Sequence, residues 1–341
     1  MEVKLISDRD QWETFLAEVR PPTFLQSWNW GVVQEKNGTR VLRYGLEASG
    51  ALIGVALVII VEARRGRFLF CPHGPIFRPG IELAAALSTL LLELKSAAKK
   101  NRCAFIRISP SMLDSPAHRM LFTRLGFRAA PIHMMHPELA WRLRVQERDD
   151  ELLRGMRKTT RYCIRKAVKE GIVVESSPIA DFEKFWKIYA VTAARHSFVP
   201  FSPQDLRTEL EVFSADHQAQ LLIAKHNDQP IAAAIIIYYA DSGFYHHGAS
   251  LAATATLTAT SYLLQWHAII ETRRRGLQFY NFWGIAAPEN KRHPWAGITL
   301  FKTGFGGFSE QYLHAQDFVI SPKYWITYII ERFRTIWRGH A

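Results

Sequence analysis

AQLLIAKHNDQPIAAAIIIYYADSGFYHHGAS, residues 219–250, reads as three strands in series, over 219–226, 229–240 and 243–250. A helix predicted over 254–275 follows and stops at Gly276, and a strand over 279–283 comes next. Upstream, the pattern predicts one helix over 149–170, capped by Asp149 and ended by Gly171. A strand over 172–176 and helices over 181–196 and 202–213 lead from it into the quoted stretch. Residues 308–320 are again strand-like, and 322–338 read as an aromatic, basic helix. Strand runs interleaved with helices place the chain among mixed α/β layers.

The first half repeats this order. A short strand precedes a helix over 8–19, with Ser7 or Asp8 as cap, and helical spacing recurs over 24–35. Strands over 40–47, 51–62 and 67–70 turn at 49–50 and 64–66. A Pro/Gly loop at 72–75, a helix over 81–101, a strand over 104–109, a helix over 117–125 and a strand over 131–143 complete it. The expectation is a duplicated module of domain size, divided in the polar cluster at 146–151. The 341 residues, 48% hydrophobic and 22% charged, suffice for two cores and argue against global disorder.

A net charge of +12 concentrates anions near the surface, which suits nucleic acid, nucleotide diphosphates or anionic lipid. Three scattered cysteines, Cys71, Cys103 and Cys163, form no CxxC pair, so a reducing cytoplasm is expected and a structural zinc site is not. The start, MEVKLISDRDQW, has no apolar stretch after a basic head, and the apolar run 51–61 is too short to span a bilayer. A Walker A loop, GxGxxG after a strand, HExxH and GxSxG are absent. No metal or cofactor is expected.

Four stretches offer chemistry. In ELLRGMRKTTRYCIRKAVKEG, residues 151–171, Arg154, Lys158, Arg161, Arg165 and Lys169 fall on one face of a continuous helix. Such a row is either a solvated face or a track for a ribose-phosphate backbone; acids only at the segment's ends favour the track. In WGIAAPENKRHPWAGITLFKTGFGG, residues 283–307, Lys302 sits between Phe301 and Thr303. It is either a packed stem with its head in water or a cation held for an oxyanion, and glycines 304, 306 and 307 allow close backbone approach. In FLQSWNWGVVQEKNG, residues 24–38, Lys36 is a surface lysine or a phosphate anchor. In FYHHGAS, residues 244–250, neighbouring strand positions point to opposite faces, so His246 and His247 are not expected to chelate one metal. One of them could still bind substrate or move a proton.

The order of motifs resembles the Fem family of non-ribosomal peptidyltransferases, over nearly the whole chain. The stretches that carry the resemblance are FLQSWNWG (24–31), CPHGPIF (71–77), FIRISP (105–110), MRKTTRYCIRKAVKEGI (156–172), FYHHGAS (244–250), NFWGI (281–285) and HPWAGITLFKTGFGG (293–307). The resemblance implies two tandem acetyltransferase-like, GNAT-type domains with mixed sheets flanked by helices. Residues 1–147 with 309–341 would be the precursor-binding domain and 148–308 the aminoacyl-donor side. It implies transfer of an amino acid from aminoacyl-tRNA to a stem-peptide amine of a peptidoglycan precursor, either UDP-MurNAc-pentapeptide or lipid II, in building cell-wall cross-bridges.

By the same resemblance Phe301 and Lys302 match the family's catalytic Phe-Lys pair. Lys36, Trp28, Ser109, Phe201 and His247 fall in the substrate-binding stretches, and the basic row becomes a tRNA site. Two departures stand out. Ser109–Pro110 replaces an Asp-Pro of many relatives, and Phe201 stands where relatives often carry an arginine that grips diphosphate. No long helical hairpin is inserted, which resembles the compact members.

Two rivals remain. A CoA-dependent N-acyltransferase on the same fold needs a pyrophosphate loop, and the nearest match, RRRGLQ at 273–278, ends in the wrong residue. An RNA-binding module without catalysis would use the basic row and leave the Lys302 loop without a role. The tail YWITYIIERFRTIWRGH, residues 324–340, would either rest on the inner membrane face or pack on the first domain. The expected location is the cytoplasm, with that membrane contact.

Overall fold

A computed structural model of the chain describes residues 1–63, 66–132, 135–196, 198–251, 255–287 and 293–337. The expected turn residues 64–65, the loop residues 288–292, Ser197 and Arg338 therefore lie outside the described residues. The chain separates into two compact units, Met1–Glu138 with Glu310–Ala341, and Leu139–Ser309.

The first unit opens with β1 (Glu2–Leu5) and α1 (Arg9–Val19), whose N-cap Asp8 accepts from the backbone N–H of Asp10 and Gln11. Helix α2 (Trp28–Lys36) begins later than the spacing over 24–35 suggests, because Ser27 caps it by accepting from Trp30 N–H. Strands β2 (Arg40–Ala48), β3 (Ala51–Ala63), β4 (Gly66–Pro72) and β5 (Ile76–Phe77) follow, then α3 (Leu83–Lys100), β6 (Cys103–Ser109), α4 (Pro116–Arg124) and β7 (Arg128–Ala129). The apolar run in β3 is buried along most of its length, as a central strand requires. Leu87, Leu90, Leu91, Leu94 and Ala98 form one buried stripe of α3 against β6 and its neighbours.

The second unit begins with β8 (Leu139–Arg144), α5 (Asp149–Gly155) and α6 (Lys158–Lys169). Next come β9 (Val173–Ser177), α7 (Phe182–His196), α8 (Pro203–Ala215), β10 (Ala219–His226), β11 (Gln229–Tyr239) and β12 (Ser242–Ser250). Helix α9 (Ala255–Arg274), β13 (Phe279–Gly284), α10 (Ala296–Thr303) and β14 (Phe308–Gln311) close it. Its sheet runs β14-β8-β13-β12-β11-β10-β9, with β12 and β13 parallel and the meander β9 to β12 antiparallel. Helices α6 and α9 pack Ile164, Ala167, Leu263 and Leu264 into the core under Ala232, Ala234 and Ile236.

Then β15 (Gln316–Val319) and α11 (Tyr324–Trp337) return to the first unit. Its sheet runs β1-β2-β3-β4-β6-β15-β7, with β4 and β6 parallel and β5 beside β3. Buried Arg107 on β6 holds this return in place. Its guanidinium donates in a bidentate pair to Asp317 on β15, 2.7 Å on each side, and to Glu331 on α11 at 2.8 Å. The mixed α/β class is as the sequence predicts.

Four expectations change. The helix over 149–170 is two helices, because Met156 is extended (ψ 156) and Arg157 N–H leaves the ladder to donate to Gly304 O at 2.9 Å. Asp149 lies in the first turn of α5 instead of capping a long helix. Among the described residues of 131–143 the regular strand begins at Leu139, and β8 pairs with β13, so the division falls at 138/139 instead of after 147. The strand over 308–320 is two strands in different sheets. Between them, the Glu138 carboxylate accepts from Ala315 N–H and meets His314 Nδ1 at 2.8 Å, which shapes the crossing.

Candidate active site

Lys302 is 6% exposed and lies near the end of α10. Its Nζ donates to Gly284 O at 2.6 Å, and burial pushes its pKa down to about 7, because desolvation penalises the ammonium. Neighbouring geometry holds the acceptor. Trp283 sits at φ 66, an uncommon setting for a bulky residue, and its N–H donates to Asn281 Oδ1 at 2.8 Å. Asn281 is itself buried, and the pairing of β13 with β8 slips between Asn281 and Gly284. The strained turn thereby brings the Gly284 carbonyl to the lysine. Of the two sequence readings for Lys302, a stem with its head in water is excluded by this burial.

Phe301 is half-buried and packs on Tyr262, 4.9 Å between centroids, and Phe305, 5.4 Å. It joins α10 to the aromatic core that includes Phe282. The glycines act as expected. A Cβ on Gly307 (φ 102) would stand 2.2 Å from Arg142 O, and one on Gly304 would stand 2.5 Å from Thr160 Oγ1.

The basic row is rearranged by the break between α5 and α6. Arg154 belongs to α5 and pairs with Asp150 at 2.9 Å. Asp150 lies just before the segment 151–171, whose own acids are at its ends. Arg161 bends back, its Nη1 donating to the carbonyls of Leu153, Arg154 and Met156, and so satisfies the open end of α5. Lys158, Arg165 and Lys169 stay exposed on α6. Tyr162, which the charge count overlooked, stands among them 64% exposed; its i, i+4 spacing from Lys158 was the available signal.

His246 and His247 do not point to opposite faces. Ile235 and Ile236 on β11 pair with His247 and Tyr245, so His246 is the extra residue of a β-bulge. Both rings face Glu209 on α8. His246 Nε2 is 3.2 Å and His247 Nε2 3.5 Å from its carboxylate, and the ring centroids are 4.0 Å apart. Glu209 and His247 are each 7% exposed. The two histidines hold the Glu209 carboxyl well below its usual range against burial, and burial followed by the neighbouring His246 lowers His247. Phe201, 59% exposed, edges onto His247 at 5.4 Å, so these two predicted residues meet. Trp283 meets His246 at 5.9 Å, which places the cluster one ring from the Lys302 turn.

The other predicted residues belong to the first unit. Trp28 opens α2 beneath the Arg43 guanidinium, 4.2 Å from its centroid, and Lys36 ends the same helix, exposed. Ser109 is buried at the end of β6, paired with Pro72. The arginines of RRRGLQ have partners: Arg273 pairs with Asp149 at 2.5 Å and Arg275 with Glu271 at 3.0 Å, over the Tyr238 ring. Among the described residues no helix is long and apolar enough to cross a membrane.

A sequence profile of the FemAB family matches residues 8–119, 124–202 and 206–332. A curated relative, the lipid II:glycine glycyltransferase of Staphylococcus aureus (strain MRSA252), is 22% identical over 209 residues, 59% of this chain and 50% of the relative. The chain thus spans about half the length of the curated relatives it matches. Among solved structures, the crystal structure of FemX superposes with a TM-score of 0.84 at 17% identity, covering 97% of this chain and 100% of that one. A tandem GNAT protein from the clavulanic acid biosynthesis pathway gives 0.60 at 12% identity, covering 94% and 99%. These likenesses show the fold, a tandem of GNAT-like modules.

Proposed function

This chain belongs to the FemAB family, and from that premise we propose that it is an aminoacyltransferase of peptidoglycan cross-bridge synthesis. The donor is aminoacyl-tRNA, and the acceptor is a stem-peptide amine of UDP-MurNAc-pentapeptide or lipid II. The observation that supports this best is Lys302, a buried lysine at a strained turn.

In the reaction the neutral acceptor amine attacks the ester carbonyl, a C–N bond forms, the C–O bond to the ribose breaks, and the proton the nitrogen loses ends on the departing ribose oxygen, which leaves as a hydroxyl. The donor ester is already activated, so positioning supplies much of the acceleration. Lys302 in its ammonium form faces the oxyanion of the tetrahedral intermediate. One such donor is worth on the order of 3 kcal/mol. A pKa lowered to about 7 makes the ammonium a stronger hydrogen-bond donor at working pH. Phe301 fixes α10, and Lys158, Arg165 and Lys169 contact tRNA phosphates, with Tyr162 as a stacking platform. In the second unit Phe201 and His247 bind substrate; in the first, Lys36 binds precursor phosphate, and Trp28 and Ser109 are further substrate-binding residues.

The enzyme works in the cytoplasm and touches the inner membrane face through α11. Trp325, Ile326, Ile329 and Phe333 are exposed along it, beside exposed Arg332 and Arg334. Incubating the protein with a charged tRNA pool and each precursor, read by mass spectrometry, tests the activity. The expected result is a one-residue mass gain on an acceptor that disappears when the tRNA is deacylated. No gain with any donor and acceptor pair overturns the proposal.

A further inference from the structure

The bulge in β12 does something that transfer chemistry does not call for: it turns two consecutive imidazoles toward one buried carboxylate. We propose that Glu209, His246 and His247 form a binding site for a divalent metal ion of the zinc class. The inference stands on this cluster alone and does not depend on the transfer reaction.

Three observations carry it. The first is the donor set. Two imidazole nitrogens and a carboxylate oxygen suit zinc and neighbouring transition metals, whereas calcium and magnesium prefer oxygen alone. The second is the spacing. Donors bound at about 2.0–2.1 Å in a tetrahedron stand about 3.3–3.4 Å apart. The Nε2-to-carboxylate distances of 3.2 and 3.5 Å straddle that edge length, and the three donor atoms all lie within 4.8 Å of one another. The third is an unmet acceptor. Glu209 Oε1 is buried and accepts no hydrogen bond among the described residues, although His246 Nε2 is 3.2 Å away. A buried carboxylate oxygen left in that state is costly, and a cation between the three groups would satisfy it.

The surroundings fix the rings. Trp283 meets His246 edge-on at 5.9 Å, and Tyr189 and Phe201 meet His247 at 6.2 and 5.4 Å. Aromatic walls of this kind hold ligand orientation and limit water. Three protein ligands leave a fourth tetrahedral position open. Two neutral imidazoles and one carboxylate leave a divalent ion with a net positive charge. The open position therefore takes water or an anionic oxygen, such as that of a phosphate.

The test uses the full chain, stripped with chelator and desalted. Isothermal titration with zinc chloride, and metal analysis after a second desalting, should give one ion per chain. Zinc should also raise the thermal midpoint of the wild-type protein. Glu209→Gln and His247→Ala should lower zinc affinity by at least about 100-fold, the upper end of what loss of even an outer-shell partner costs. His118→Ala, in the first unit, should retain the ion. If the core variants fail to fold, cobalt(II) in the wild-type protein still decides. A tetrahedral visible spectrum that zinc displaces supports the site. Absence of bound zinc, or retention of zinc in folded Glu209→Gln and His247→Ala, overturns it and leaves the cluster a buried ion pair. Transfer activity is not a readout, so failure here leaves the proposed reaction untouched.

Discussion

The ammonium of Lys302 donates to the carbonyl oxygen of Gly284 at 2.6 Å, inside a site that leaves 6% of the residue exposed. Burial lowers the folded pKa to about 7 from 10.5, so between these values the unfolded chain binds more protons than the folded one. Stability therefore rises with pH across that window, and the burial penalty is felt in full below pH 7. Lys302→Met should be more stable than wild type at pH 6, by a few kcal/mol in order of magnitude. The difference should shrink as pH approaches 10.5. Denaturant titrations of both proteins at several pH values measure it; a pH-independent difference contradicts the buried, titrating lysine.

Under the proposed mechanism the same group should give activity its pH dependence. An ammonium that stabilises an oxyanion is lost as pH rises through about 7, so kcat should carry a falling limb there. Lys302→Met should reduce kcat by roughly 100-fold, remove that limb and leave precursor binding unchanged. Rate profiles of the two proteins, with precursor affinity by calorimetry, check all three. Equal kcat would take Lys302 out of the reaction.

The basic row divides into Arg154 and Arg161, which are tied to α5, and exposed Lys158, Arg165 and Lys169, which the proposed function assigns to tRNA. Lys158→Glu, Arg165→Glu and Lys169→Glu together should raise the KM for aminoacyl-tRNA at least tenfold and flatten its salt dependence, without changing the thermal midpoint. Tyr162→Ala should weaken tRNA by about 1–3 kcal/mol if a base stacks on it. Arg161→Ala should instead lower stability, because it uncovers the carbonyls that end α5. Filter binding across a salt series and thermal melts distinguish these outcomes.

For α11, Ile326→Ser, Ile329→Ser and Phe333→Ser together should reduce association with anionic liposomes several-fold and leave the fold intact, since these side chains are 57, 52 and 68% exposed. Flotation with vesicles of mixed anionic and neutral lipid measures this. Unchanged flotation would assign the exposed face another role. Deleting 331–341 is a poorer test, because it also removes Glu331 from buried Arg107.

What could be read in advance was local. Strands 219–250 and the stripe of α3 declare themselves through periodicity, and Asp8 through its cap. What could not be read depends on partners far along the chain. The break after Gly155 needs the Gly304 carbonyl to receive Arg157 N–H. The shared orientation of His246 and His247 needs the slipped pairing with β11, while strand alternation alone predicts the reverse. The split of 308–320 needs two sheets that compete for neighbouring residues. Lys302 lay between: its apolar neighbours hinted at burial, but only the turn at Trp283 shows what its amine meets.

The return of β15 and α11 to the first unit also orders events during synthesis. Residues 139–309 leave the ribosome as an uninterrupted block, while β6 must wait for a neighbour encoded some two hundred positions later. Until Asp317 arrives, nascent Arg107 has no carboxylate to justify leaving water, so the region around it stays loose. The half that is translated first is thus completed last, and premature termination between Gln311 and Gln316 would leave the second unit's sheet complete and the first unit's sheet with an open edge at β6.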